Sequence, residues 1–297
     1  MIAPAHLVIE TQTCAAAFGL ALWDAATGRL AGDGLVVRVA PQVAGRTLPA
    51  VVAAPNRRGI FVIHRLPVAA VSPPAALLVD VRDPMGRFVP FVMHLDAAGG
   101  PGLLAPPCLG GIDGLPADSP PGRGSASGNL PGVPLFSTPA RTPQAGAAVV
   151  RTALVDGGSH RPAAFAVIEV REGGRVLGRG VADARGEVAI SFPYPEPSVL
   201  PPWSPPARPA PPVPLTSQSW TLDVAVRYHR DLPRYGMAIG GGALRDPSPD
   251  VCELLAQPLA RLAIDSPPAP VTEIRLHYGQ ELVLAGPNGD PLLVNPA

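Results

Sequence analysis

The chain has 297 residues, of which 47% are hydrophobic and only 15% charged, and its 23 basic and 23 acidic side chains cancel to a net charge of zero. That length allows two ordinary domains, and the apolar share is enough to bury a core. The charges are dispersed, so there is no basic stripe to track phosphates, which argues against a nucleic-acid partner.

Residues 1–23 lack a basic start and carry Glu10, Thr11, Gln12 and Thr13 in their middle. They do not read as a secretion signal. No run of about 18 apolar residues occurs, so no membrane span is expected. The three cysteines, Cys14, Cys108 and Cys252, are far apart and odd in number. That pattern points to small buried residues in a reducing compartment, with no disulfide framework. The expected location is cytoplasmic, within a particle assembled there.

Strand signals begin at Phe18. Residues 18–24 alternate, and a turn over 25–29 places Gly28 where a positive φ is needed. In 34–40, Leu35, Val37 and Val39 face away from Val36 and Arg38. Pro49 pushes a strand over 47–54 towards a sheet edge. Residues 59–66 set Ile60, Val62 and His64 against Phe61, Ile63 and Arg65, with His64 read as a hydrogen-bonded core histidine. Strands over 75–83 and 87–96 complete the set. Short strands broken by frequent turns predict an antiparallel sandwich over residues 1–96.

Residues 97–147 are rich in Gly, Pro and Ser and have no period, which predicts a linker. Leu135 and Phe136 within it are apolar candidates for docking onto a sheet or a partner.

A second sandwich is predicted over 148–265. Its strands fall at 148–156, 163–172, 175–183, 186–192 and 220–229, with a hairpin turn at Gly173-Gly174. Residues 193–219 interrupt it with a proline-dense stretch, expected as an extended polyproline-type excursion. Tyr194 and Trp203 there are aromatic candidates for gripping a partner or a sugar, and Trp203 rather for clamping the insertion onto its own sandwich. A short helix is expected after Ser248 as N-cap, with Pro249 in its first position and Asp250 favouring the dipole, ending at Pro258. The tail 266–297 reads as strands with turns at Gly279 and Asn288-Gly289. It is too short to fold alone and should pair with the second sandwich or another chain.

The stretches "PNRRGIFVIHRLP" (55–67) and "ADARGEVAISFPYP" (182–195) are one phrase written twice. Gly59 and Gly186 should sit at a turn where a side chain would clash or a positive φ is needed. This grammar resembles the transthyretin-like, carboxypeptidase-regulatory-like β-sandwich, an immunoglobulin-class module. Asp24, Thr27, Gly28, Val37, Val39, Gly59, Phe61, Ile63, Leu66 and Pro67 carry the resemblance in the first copy, and Asp183, Gly186, Val188, Ile190 and Pro193 in the second. Neither copy has the family's Gly-Tyr after Leu-Pro, and the second carries the proline insertion. The resemblance implies an all-β chain of two such sandwiches, and a fold rather than an activity. Tandem modules of this kind with proline-rich joints resemble structural components of phage-tail-like contractile injection systems.

Chemistry is sparse. The histidines show no metal-ligand spacing, and no two cysteines are close enough for zinc. Asp83-Pro84-Met85-Gly86 reads as a hairpin turn rather than part of an acid–base pair. There is no G-x-S-x-G elbow, and Gly240–Gly242 lacks the Lys of a phosphate loop. No catalytic, metal or cofactor residue is therefore named. The function expected is a non-enzymatic structural or adaptor subunit that binds other protein subunits, or itself, through edge strands and proline-rich arms. The alternative is a carbohydrate- or ligand-binding sandwich, which would need an exposed aromatic platform.

Overall fold

The computed structural model describes residues 18–43, 46–63, 76–96, 102–106, 108–109, 132–196, 214–236, 238–239, 243–244, 246–265 and 269–296. The fold is all-β, and the one α-helix among the described residues is Val251–Leu255. No helix there is long and apolar enough to cross a membrane. His64 and Trp203 lie outside the described residues.

In the first half one sheet runs, in spatial order, Gly102–Leu104, Phe18–Leu20, Phe61–Ile63, Val51–Pro55, Val36–Val43, Ala76–Arg82 and Phe91–Asp96. A smaller sheet holds Val133–Leu135, Leu22–Asp24 and Arg29–Leu30. The second half runs Arg175–Val181, Val167–Glu172, Ser219–Arg227, Leu259–Ile264, Leu292–Pro296, Ala147–Asp156 and Glu187–Pro193. Glu273–His277 and Glu281–Leu284 pair onto Ser219–Arg227 and Ala147–Asp156 respectively.

The two halves repeat one plan. In each, the first strand pairs antiparallel with the strand of the repeated phrase, Phe18–Leu20 with Phe61–Ile63 and Ala147–Asp156 with Glu187–Pro193. In each, the next long strand lies between two antiparallel neighbours: Val36–Val43 between Val51–Pro55 and Ala76–Arg82, and Val167–Glu172 between Arg175–Val181 and Ser219–Arg227. In each, two short closing strands run parallel to the first. Gly102–Leu104 and Val133–Leu135 lie along residues 18–24, as Glu281–Leu284 and Leu292–Pro296 lie along Ala147–Asp156. The sequence tail thus pairs with the second half. Residues 102–104 and 133–135, expected to be linker, are strand for the same topological reason.

The repeated phrase is a repeated turn. The Asn56 N–H donates to the Ile60 carbonyl at 2.8 Å and the Gly59 N–H to the Asn56 carbonyl at 2.9 Å. Asn56 Oδ1 accepts from the N–H groups of Arg58 and Ile60. Asp183 does the same with Glu187, Gly186 and Arg185. Both Gly59 and Gly186 adopt φ +80°, a conformation that disfavours any residue with a Cβ.

Two expectations change. Val51–Pro55 is an interior strand, paired with Val36–Val43 on one side and Phe61–Ile63 on the other, and Pro49 stops short of it. The helix starts two residues later than expected. Asp250 is its N-cap, accepting from the N–H groups of Cys252 and Glu253, while Ser248–Pro249 is strand.

Each half encloses its own apolar core, built around Leu22, Val37, Phe61, Leu77 and Met93 in the first and Val150, Ile168, Ile190, Phe192 and Leu222 in the second. A third cluster welds them: Val89 and Phe136 from one side, Phe165, Val167 and Val181 from the other, with Leu254. Beside it Arg141 donates to both Asp24 carboxylate oxygens, at 2.8 and 2.6 Å, with its guanidinium 4.7 Å from the Phe88 ring centroid.

Burial pushes the Asp24 carboxyl up, but the Arg141 hydrogen bonds and charge outweigh it and hold the group below its ordinary 3.8. At Asp156 the Arg230 hydrogen bond leads, overcoming burial, and holds the carboxyl far below the usual range. Depressed carboxyls stabilise the folded chain above their unfolded value and lose that contribution as pH falls through their folded values. The melting temperature should therefore hold steady from neutral pH to about pH 5 and fall steeply below about pH 4. Asp24→Asn should flatten that acid limb. Circular-dichroism melts across pH check this, and parallel curves for the two proteins would refute it.

Candidate functional site

The strand Glu187–Pro193 delivers Tyr194 to the end of the second half, where Pro193 still pairs with Ala147. Ser219–Arg227 alternates strictly in burial, turning Trp220, Leu222, Val224 and Val226 inward, with Trp220 opposite Leu276. Tyr278 follows at the turn after Glu273–His277. These elements bring three aromatic rings together. Tyr194 lies 5.5 Å from Trp220 and 4.7 Å from Tyr278, both tilted.

The trio grips the root of the proline-dense stretch. Pro195 is buried, and the Trp220 indole N–H donates to the Glu196 carbonyl at 3.3 Å. The Gly279 N–H donates to the Tyr194 hydroxyl at 2.9 Å, and the Tyr278 N–H to the Gln218 carbonyl at 3.1 Å. A buried proline with an indole N–H on the next carbonyl, beside clustered aromatic rings, is chemistry that polyproline recognition also uses. A cleft of about 330 Å³ adjoins, lined by Gly146, Ala147, Tyr194, Tyr278, Gln280 and Glu281 among others. Residues 197–213 lie outside the described residues. The described chain on either side stops at Glu196 and resumes at Pro214, and both ends lie close in sequence to residues that hydrogen-bond within this trio.

The other residues singled out in the sequence are placed differently. Leu135 is fully buried in the first core, and Phe136 is 2% exposed in the cluster between the halves. Both are taken up inside the chain, because the strand they end or follow belongs to the first half. Sequence reasoning missed Trp220 and Tyr278 as partners of Tyr194. The available signal was a Trp at the point where the proline stretch returns to a strand.

A second junction lies at the far side of the first half. The chain leaves the second half between two neighbouring strands, Ser219–Arg227 and Leu259–Ile264, and on this crossover residues 246–258 reach the sheet edge Phe91–Asp96. There Asp250 bridges to Val92 and its Oδ2 accepts the His94 N–H at 3.0 Å, lying 2.9 Å from His94 Nδ1. Tyr235 stacks edge-on to His94 at 4.9 Å and donates to Glu253 Oε1 at 2.7 Å. That hydrogen bond, then burial, pushes the Tyr235 hydroxyl up to about 12, so it stays a donor at neutral pH. Arg82 donates to Ser248 Oγ and to the Asp246 carbonyl.

Cys252 on this crossover is bonded to Cys108, with Cα atoms 5.5 Å apart. The expectation of unpaired cysteines fails here, and with it the argument for a reducing compartment. The pair is 144 residues apart in sequence, so only the crossover reveals it. Among the described residues no group of three or more His, Cys, Asp or Glu is placed to hold a metal ion.

No family model matches this chain, and no curated protein matches it. Among solved structures, the Bacillus anthracis TIE protein aligns at 10% identity with a TM-score of 0.24, covering 89% of this chain and 44% of that one. The chain thus spans less than half the length of that structure.

Proposed function

We propose that the protein is a non-enzymatic structural or adaptor subunit of a larger protein assembly, of the kind found in phage-tail-like contractile injection systems. It grips neighbours through its proline-rich arm and through open sheet edges. The observation that carries this reading is the aromatic seat of Tyr194, Trp220 and Tyr278. It fixes Tyr194 to Glu196, where the proline-dense stretch begins, on the sheet of the second half.

Two short edges add to it. Glu281–Leu284 pairs along one side with Val149–Thr152 and carries Val283, 64% exposed. Gly102–Leu104 pairs along one side with Phe18–Leu20 and carries Leu103, 37% exposed. Brief edges with one exposed apolar side chain can accept a partner strand while limiting random aggregation.

Light scattering after size exclusion tests the reading. The full chain should form discrete complexes with itself or with its assembly partners. A chain lacking residues 197–213, which keeps Tyr194 to Glu196 in their seat, should stay folded by circular dichroism and lose that association. Unchanged association after the deletion would refute the arm's role. A clean monomer that binds glycans would favour a ligand-binding module instead.

A further inference from the structure

We propose that Cys108–Cys252 is a redox-controlled clasp: oxidised, it pins the crossover across the edge strand Phe91–Asp96, and reduced, it lets the crossover lift and leaves that edge open. The inference deepens the reading above by naming the control of one sheet edge, and it rests on that reading only for what an open edge would then do.

Phe91–Asp96 is the last strand of its sheet. Its inner side is paired along its length with Ala76–Arg82, from Ala76 opposite Asp96 to Val81 opposite Phe91. Its outer side is covered by Asp250, through the bridge to Val92 and the bond from the His94 N–H. Besides the disulfide, that cover is held by a small set of contacts. The helix has five residues and buries Val251 and Leu254, and a single helical turn is not stable on its own. Arg82 adds its bonds to Asp246 and Ser248, His94 Nδ1 lies 2.9 Å from Asp250 Oδ2, and Tyr235 packs edge-on against His94 and beside Val92, while the Tyr235–Glu253 bond joins two parts of the crossover. Against these stands the entropy of ordering residues 246–258 on a surface.

The disulfide changes that balance. It joins positions 144 residues apart and so removes much of the freedom the crossover would gain on lifting. Cys108 lies just past the strand Gly102–Leu104, so the tether is anchored on the first half itself. Both cysteines are half-buried rather than sealed, so a reductant can reach the bond. The step balances with a dithiol reductant. Its two thiols give up two electrons and two protons and close to a cyclic disulfide, while the Cys108–Cys252 bond breaks and each sulfur gains one electron and one proton to become a thiol. In an oxidising compartment the clasp stays shut.

Hydrogen exchange read by mass spectrometry tests this on the full chain, with and without dithiothreitol. The oxidised protein should carry the Cys108–Cys252 linkage in peptide maps. On reduction, exchange over 91–96 and 246–258 should speed up roughly tenfold or more, while 147–156 and 187–193 keep their protection. Cys108→Ser should show the same opening without reductant. If 91–96 stays protected after reduction, the bond is a passive staple and the proposal is wrong. Loss of protection throughout the chain, or three free thiols in the oxidised protein, would overturn it as well. Each of these outcomes is independent of the light-scattering result.

Discussion

Gly186→Ala is expected to destabilise the chain far more than Gly59→Ala, although the two residues occupy the same turn of the repeated phrase. Both sit at φ +80°, so both substitutions carry the left-handed penalty of about 1–2 kcal/mol. The surroundings differ. A Cβ at Gly59 would meet nothing nearer than 3.6 Å, an ordinary contact. A Cβ at Gly186 would come within 2.3 Å of the Leu154 carbonyl oxygen and 3.2 Å of the Ala163 nitrogen. That carbonyl accepts the Ala163 N–H, and the Gly186 carbonyl in turn accepts the Leu154 N–H, so the backbone cannot yield without losing ladder bonds. Forced shifts of this kind add roughly 1–3 kcal/mol. Urea denaturation should show a modest loss for Gly59→Ala and about 2–5 kcal/mol for Gly186→Ala. Equal losses would mean that the second turn relaxes freely.

Glu169→Ala should match that effect through charge. Glu169 is 3% exposed on the outer face of the second sheet. It accepts from Arg179 Nε at 2.9 Å and Nη2 at 2.7 Å, and from Arg171 Nε at 3.1 Å, with Arg227 Nε 4.0 Å away. Burial pushes its carboxyl up, but the hydrogen bonds and charges of Arg171 and Arg179 prevail and hold it below its ordinary 4.5. Removing the carboxylate leaves guanidinium groups facing one another with Arg179 8% exposed. Breaking a buried pair in this way costs about 3–5 kcal/mol. The sign with pH follows from the depressed carboxyl: the wild-type advantage is complete above the unfolded value and shrinks as acid protonates Glu169 in the fold. Denaturation at pH 7 should show the full difference and at about pH 3 a smaller one. A loss under about 1 kcal/mol at pH 7 would mark the cluster as an ordinary surface group.

Strands such as Ser219–Arg227 were legible because one face is buried and the other wet, which writes a period of two into the sequence. The repeated turn was legible because Asn56 and Asp183 cap it with their own side chains, so its information is local. The closing strands Gly102–Leu104 and Val133–Leu135 were not. Three residues cannot display a period, and what makes them strands is a neighbour some eighty to a hundred and ten residues earlier. The crossover at 246–258 was hidden for the same reason: Asp250 looks like a helix cap and gives no sign of His94. Of the aromatic seat, Tyr194 could be picked out for its proline context. Trp220 read as one more core residue of a strand, and Tyr278 as a turn residue, because only the fold brings their rings together.

The parallel pairing of first and closing strands in both halves bears on how the molecule would carry tension. Parallel neighbours start from the same end, so the chain enters each half at one pole and leaves at the opposite one. Pulling on the flanking segments would slide Ala147–Asp156 against Glu281–Leu284 and Leu292–Pro296, and residues 18–24 against their own closing strands. The bonds across each seam would then be strained all at once in shear, not peeled open in turn, which suits both halves to mechanical load.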